Sequence, residues 1–339
     1  MFSVSSVLLI LTIFFALTVG FSRYSIVTVI KALMRSIPLV GEAAGIVGPD
    51  EKEFMIITEI RLPRVLAGAL VGSGLALAGV VFQGVFRNPM ADPYIIGVSS
   101  GAALGAALAI VMGIGYSLVG INTVSILAFL VATLTVLVVY NLARVGPQAS
   151  VVTLLLSGVA VSIFLSAIVS LIELFSGWEL HRLVYWMMGG FSYIEWDEVL
   201  GVFPLISIGA ALTYLFSREL NIMTMGDEEA QHLGVNVENS RKILLALASL
   251  MTAAAVSIGG LIGFVGLVIP HLTRMFVGPD HRILMPSAFL MGAIFLVLCD
   301  AIARSITVSA EIPVGIITSL SGGPFFIYML RKSRGRYAI

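Results

Sequence analysis

The sequence RLPRVLAGALVGSGLALAGVVFQGVFRNPMADPYIIGVSSGAALG, residues 61–105, decides the fold of this chain. No charged side chain occurs between Val65 and Phe86, and about 20 apolar residues in a helix are enough to cross the hydrocarbon core of a bilayer. A second apolar, glycine-rich run begins at Gly97. We therefore expect two membrane spans that follow each other closely in the chain.

The residues between these two spans predict a sharp, non-helical elbow. A proline disfavours helix at the residue before it, and the backbone groups that it leaves unpaired need water or protein partners. The elbow is therefore expected at a membrane surface or in a protein-lined cavity. We assign an architectural role to its four shaping residues, which are Asn88, Pro89, Asp92 and Pro93.

Composition extends this interpretation to the whole chain. Of its 339 residues 59% are hydrophobic and 11% charged, whereas about a quarter of the residues of soluble domains are charged. The mean hydropathy is +1.07. We expect an all-α polytopic membrane protein, with residues 1–339 forming one transmembrane domain. The formal net charge is zero, so nothing points to nucleic acid as a partner.

Apolar blocks predict about ten spans in all. The least regular one contains Pro270, His271 and Arg274. The distribution of Lys and Arg favours a cytoplasmic position for both termini in the cell membrane. The ten predicted spans are residues 4–21, 65–86, 97–111, 119–143, 151–171, 199–216, 243–262, 264–277, 283–303 and 313–330.

The sequence contains no recognisable catalytic or metal-binding pattern. A phosphate-binding GxxxxGK[ST] loop and an HExxH zinc motif are both absent, and the four histidines are far apart. No span carries the central pair of acids that ion-coupled carriers commonly use. A transporter with this sequence would have to take its energy from another chain or from the gradient of the solute.

Two short helices are predicted between the sixth and seventh spans, in a loop of about residues 218–240. Gly226 separates them, the second begins with three acids that suit a helix N-terminus, and Gly234 is expected as its C-cap. Their apolar side chains could press on a partner protein, on lipid headgroups or on the chain's own bundle. The residues singled out in this loop are Leu220, Met223, Gly226, Asp227, Glu228, Glu229, Ala230, Leu233 and Gly234.

A stripe of small residues runs along the fifth predicted span. It consists of Gly158, Ser162, Ser166 and Ser170, spaced four apart and therefore on one helix face. Such a stripe can line a path for a polar solute, or it can simply allow close helix packing.

Three arginines are predicted at the outer ends of spans: Arg61, Arg64 and Arg304. They can snorkel or pair locally, and Asp300 is an evident partner for Arg304. They can instead offer guanidinium groups to carboxylates of a soluble protein.

Several long motifs resemble the FecCD family, the permease subunits of type II ABC importers for iron-siderophore complexes, haem and cobalamin. They are RLPR, QGxxRNPMADPY and IGVSSGA in the quoted stretch, GDEEAQHLGV at 226–235, GFVGLVIPH at 263–271 and EIPVG at 311–315. The resemblance spans nearly the whole chain. It implies a transport subunit that is not an enzyme.

The resemblance also implies roles and partners. The loop of residues 218–240 would dock on a cytosolic ATPase, the three arginines on a binding protein, and the serine stripe would border the translocation path. A gate loop would precede the fifth span and include Arg144, Gly146 and Pro147. Implied partners are a second copy, two ATPases that bind ATP-Mg, an extracytoplasmic binding protein and lipid, with no cofactor on this chain. The alternatives are a gradient-driven carrier or channel and, without a catalytic constellation to support it, an intramembrane enzyme.

Overall fold

The computed structural model describes residues 2–20, 22–37, 49–114, 117–118, 121–145, 148–306 and 311–333. Apart from two short antiparallel strand pairs, the regular structure in these ranges is helical. The expected all-α class is therefore confirmed.

The described ranges of the first half contain seven α-helices and two strand pairs. A π-helical turn, Ile56–Arg61, joins α3 to α4 without a break, and a 3-10 helix, Pro93–Ile96, precedes α5. The elements are α1 Phe2–Thr18, α2 Ile26–Arg35, α3 Glu51–Met55, α4 Leu62–Val85, α5 Val98–Val111, β1 Ser117–Leu118, β2 Ile121–Asn122, α6 Thr123–Ala143, β3 Arg144–Val145, β4 Gln148–Ala149 and α7 Val151–Phe175.

The second half is built from helices only in its described ranges. A 3-10 turn, Gly177–Glu179, leads into a short helix that the sequence analysis did not predict, α8. The helices are α8 Leu180–Met187, α9 Trp196–Leu215, α10 Ser217–Met223, α11 Asp227–His232, α12 Val237–Gly259, α13 Val265–Val277, α14 His281–Ile306 and α15 Val314–Ser333.

Ten of these helices coincide with the ten predicted spans. Six helical stretches in the described ranges are long and apolar enough to cross a membrane. They contain α4, α6, α7, α9, α12 and α14. The other four predicted spans correspond to the shorter apolar helices α1, α5, α13 and α15. The chain is therefore a multi-pass membrane protein.

Helix α4 lies at the centre of the bundle and packs against α14, α12 and α13. Its glycines allow this, because a Cβ on Gly72 would lie 2.2 Å from the Gly292 oxygen of α14. A Cβ on Gly79 would lie 1.8 Å from the Gly266 oxygen of α13. The predicted close approach of helices at small residues is present at these two positions.

Candidate coupling and docking sites

The elbow is built by side chains that cap its own backbone. Asn88 Oδ1 accepts a hydrogen bond from the Met90 amide at 2.9 Å, and Asp92 Oδ1 accepts one from the Tyr94 amide at 2.8 Å. Burial raises the pKa of Asp92, and the hydrogen bond from Tyr94 opposes that rise. These contacts agree with an architectural role for the elbow.

The elbow also fixes a distant break between two helices. The Tyr94 hydroxyl donates to the Ile262 oxygen at 2.9 Å and accepts from the Ile262 amide at 3.2 Å. Pro93 fills the space over Gly266, where a Cβ would lie 2.6 Å from the proline Cδ. The elbow therefore positions the short segment between α12 and α13, a link that no sequence pattern indicated.

The loop between α9 and α12 contains the two predicted short helices, α10 and α11. The second helix ends as expected: Gly234 has a φ of +82°, and the Val235 amide donates to the Ala230 oxygen at 3.0 Å. Gly226, between the helices, has a φ of +144°. We call this segment, residues 217–236, the coupling loop.

The apolar side chains of the coupling loop face in two directions. Leu220, Met223 and Ala230 are buried in the main hydrophobic core, so they anchor the loop to its own bundle. The idea that these three residues form a contact face for a partner is at odds with their burial. Two apolar side chains are exposed, Met225 by 67% and Leu233 by 60%, and the acids Glu228 and Glu229 are exposed beside them.

Asp227 faces the membrane helices, although it was expected to suit the helix N-terminus and to belong to the loop that docks on an ATPase. Its Oδ2 lies 2.7 Å from Arg241 Nη2 of α12, and its Oδ1 contacts Arg87 of the elbow. Asn221 makes a second connection, because it donates to Asp280 Oδ1 at 2.6 Å and accepts from the His281 amide at 2.9 Å. The loop is thereby held against the C-terminal end of α4 and the N-terminal ends of α12 and α14.

The small-residue stripe on α7 divides into two parts. Gly158 is buried against the 3-10 helix, where a Cβ would lie 2.4 Å from the Ile95 oxygen. Ser162 is half-buried beside Gly97, whereas Ser166 and Ser170 are exposed. Close packing therefore explains the first part, and the second part is open to another molecule.

The proposed gate loop is described only in part. Arg144 pairs with Ala149 in the strand pair β3–β4, between α6 and α7. The Thr153 hydroxyl donates to the Ala143 oxygen at 2.8 Å and fixes the start of α7. Gly146 and Pro147 lie outside the described residues.

The three arginines predicted for docking are buried in the chain. Arg61 donates to the Leu17 oxygen at 2.8 Å and stacks on Tyr24. Arg304 donates to the Ala16 oxygen at 3.1 Å, and its Nε lies 3.0 Å from Asp300. The local pairing of Arg304 with Asp300 is therefore found. Docking of the three side chains stays a prediction, and their exposed fractions, 6–7%, leave little surface for a partner.

Arg64 links Asp300 to a second acid at this end of the bundle. Its Nη1 lies 2.7 Å from Glu311 Oε2, which also accepts a hydrogen bond from the Ser192 hydroxyl at 2.8 Å. Burial raises the pKa of Glu311, but Arg64 and Ser192 lower it more, so the net shift is downward. EIPVG was noted in the sequence only as a motif, without any sign of this partner.

Glu311 and Ser192 belong to the wall of a cavity of about 590 Å³. Helix α8 and the start of α6 form other parts of the wall, with Tyr185, Trp186 and Ser125 among the lining residues. No group of three or more potential metal-ligating side chains occurs within the ranges that the structure describes. The cavity therefore offers aromatic, hydroxyl and carboxylate groups.

Comparison with known proteins places these features in a family. The model of the FecCD transport family matches residues 8–332. The chain is 46% identical to the cobalamin import system permease protein BtuC of Halobacterium salinarum, over 85% of this chain and 77% of that one. It is 41% identical to the hemin transport system permease protein HmuU of Yersinia pestis, over 81% and 83% of the two chains.

A solved structure agrees over almost the whole chain. It is an inward-facing conformation of a metal-chelate type ABC transporter, with a TM-score of 0.83, 35% identity and coverage of 98% of both chains. The family match, the relatives and the ten apolar helices agree with one another. This chain belongs to the FecCD transport family and is a multi-pass membrane permease.

Proposed function

We propose that the chain is the permease subunit of an ATP-binding-cassette importer that moves an iron chelate, haem or a cobalamin-like solute into the cytoplasm. The observation that carries this proposal is the coupling loop, which is anchored by buried residues and presents exposed ones. The names of the relatives and of the similar structure support the transport class and the range of solutes. The chain itself performs no chemistry on the solute.

The exposed tip of the coupling loop is the proposed contact for a cytosolic ATPase. Met225 and Leu233 supply apolar area, and Glu228 and Glu229 supply negative charge. A few well-buried side chains near the centre of an interface contribute most of the affinity, and charges at its rim favour the correct encounter. ATP-Mg would be bound by the ATPase, with one ATPase for each permease copy.

A second copy of the chain completes the proposed path. Helix α7 is the least buried of the long apolar helices, and its exposed side includes Ser166 and Ser170. Two such helices, one from each copy, would surround a central path with hydroxyl groups. Both termini would lie on the cytoplasmic side, together with the elbow and the coupling loop.

A soluble binding protein would deliver the solute at the opposite end of the bundle. The side chains of Arg61, Arg64 and Arg304 are tied to backbone oxygens and acids of this chain. Their proposed part in docking is therefore to hold the outer ends of α1, α4 and α14 in the shape that the binding protein meets.

Assembly with the ATPase tests the proposed function. We would co-express the chain with its candidate ATPase and compare Glu228→Ala/Leu233→Ala with the control Asp197→Ala/Leu200→Ala. Each double variant replaces one exposed acid and one exposed leucine, and the control pair lies outside the coupling loop, on α9. The proposal predicts that the wild type and the control co-purify with the ATPase, while the loop variant does not. If the loop variant and the wild type co-purify with the ATPase to the same extent, the proposed contact between the coupling loop and the ATPase is contradicted.

A further inference from the structure

Arg87 occupies a backbone position that ordinarily belongs to glycine. It follows the end of α4 with a φ of +50°, a value that side chains with a Cβ avoid. The Arg87 amide donates to the Gly84 oxygen at 3.2 Å, and the Asn88 amide to the Gln83 oxygen at 3.1 Å. This pair of bonds is the Schellman motif, in which glycine is favoured at the position of Arg87. An arginine kept in a strained conformation suggests that its side chain is needed.

The guanidinium of Arg87 reaches across to the coupling loop. Its Nη2 contacts Asp227 Oδ1 at the start of α11. Arg241 of α12 holds the other carboxylate oxygen at 2.7 Å, and Arg241 is 8% exposed. Asp227 would therefore keep a buried cationic partner if Arg87 were removed. Because Arg241 already balances the charge of Asp227, charge balance alone does not explain why residue 87 is an arginine.

The coupling loop also makes an apolar contact with the end of α4. Leu220 packs on Gly84, where a Cβ would lie 2.9 Å from the leucine Cδ1. Apolar contact is non-directional, so it leaves the relative position of the two surfaces weakly defined. The ion pair instead joins one cationic nitrogen of Arg87 to one carboxylate oxygen of Asp227, a link that any cation of similar reach can make. Arg87 therefore fixes the coupling loop to the helix end in one register.

We propose that Arg87 is a positioning residue, which passes a displacement of the coupling loop to the inner end of α4 and the elbow. This role rests on the proposed function, because it assumes that an ATPase moves the loop. Helix α4 is the central helix of the bundle, and its outer end holds Asp300 and Glu311 through Arg64. Movement of its inner end would therefore also displace its outer end and the acids that Arg64 holds there.

The test separates coupling from folding and from assembly. Wild type, Arg87→Gly, Arg87→Lys and the control Arg282→Ala would be reconstituted in liposomes with the ATPase and binding protein. Arg282 is an exposed arginine close to Asp280, which contacts the coupling loop. The measurements are thermal unfolding, ATP hydrolysis and solute transported per ATP. Glycine relieves the backbone strain and removes the side chain, whereas lysine keeps a cation opposite Asp227.

We expect Arg87→Gly to assemble, hydrolyse ATP and unfold at the wild-type temperature or above, while transport per ATP falls about fivefold or more. Arg87→Lys should retain most of the transport, and Arg282→Ala all of it. Unchanged transport per ATP in Arg87→Gly would overturn the role, as would an equal loss in Arg87→Lys. A parallel loss of thermal stability in Arg87→Gly would also overturn it, in favour of a purely structural contact. A wild-type complex that does not form or hydrolyse ATP would instead contradict the proposed function.

Discussion

Arg64 binds the carboxylate of Asp300 through two nitrogens, with Nε and Nη2 at 3.0 and 2.9 Å from Oδ1, although 236 positions separate the residues. This ion pair joins the N-terminal end of α4 to the C-terminal part of α14. Asp300 also lies 3.0 Å from Arg304, one turn further along α14. Two buried arginines therefore share one buried acid.

Loss of Asp300 should destabilise the chain. Asp300→Ala removes the acidic partner of Arg304 and one of the two acidic partners of Arg64 inside an apolar bundle, and breaking a buried pair in this way costs about 3–5 kcal/mol. Thermal unfolding in detergent would measure the effect. Arg182→Ala is the matched control, because the side chain of Arg182 is 56% exposed and its pair with Glu179 is loose at 3.9 Å. Equal unfolding temperatures for the two variants would contradict a stabilising role for this pair.

The glycine contacts of α4 predict unequal effects of the same substitution. Gly72→Ala places a Cβ 2.2 Å from the backbone oxygen of Gly292, so α4 and α14 must separate. Overpacking of this kind costs about 1–3 kcal/mol or more. Gly68→Ala is the control, since its nearest neighbour would be 3.7 Å away, and alanine gains up to about 1 kcal/mol of helix propensity. Similar stability of the two variants would show that the helices can separate without cost.

The exposed end of the α7 stripe predicts contact between two copies. Ser166→Cys should form a covalent dimer with a short bifunctional thiol reagent, because the path is proposed to lie between paired α7 helices. Phe164→Cys is the control: it is 65% exposed but lies on the opposite side of α7. The single native cysteine, Cys299, is buried, so it should not react. Equal cross-linking at both positions, or none at Ser166→Cys, would argue against this arrangement.

Glu311 predicts a pH-dependent contribution to stability. Burial raises its pKa, but Arg64 and Ser192 lower it further than burial raises it, to below the ordinary value of 4.5. A lowered pKa in the folded state stabilises the chain above the ordinary value, and this stabilisation is lost as the pH falls through the lowered pKa. The unfolding temperature of the wild type should therefore fall more steeply below about pH 4.5 than that of Glu311→Gln. Parallel curves for the two proteins would show that this carboxylate is not held by Arg64.

Much of the membrane architecture was predictable because apolar run length and proline position act locally. The ten apolar runs, the elbow at Asn88 and Asp92, and the helix end at Gly234 are all found near their expected positions. Helix limits were less predictable. The helical turn Ile56–Arg61 runs without a break into α4, so helix begins before the apolar run does. The charged Arg61 can lie in this buried helical stretch because it donates a hydrogen bond to the Leu17 oxygen.

The partners of charged residues could not be predicted from the sequence. Arg87 and Asp227 are 140 positions apart, and Arg64 and Glu311 are 247 apart. No periodicity brings such residues together, since only the packing of α4 against α12 and α14 does so. The apolar residues of the coupling loop were ambiguous for the same reason. Leu220 and Leu233 look alike in the sequence, yet one is buried and the other exposed.

The most direct test of the account is solute uptake by liposomes that contain the chain together with its ATPase. Binding protein loaded with an iron chelate, haem or cobalamin would be added on one side and ATP supplied on the other, with and without ionophores. The account predicts uptake that needs both ATP and the binding protein and that ionophores leave unchanged. Uptake by the chain alone that ionophores abolish would contradict it and would identify a gradient-driven carrier.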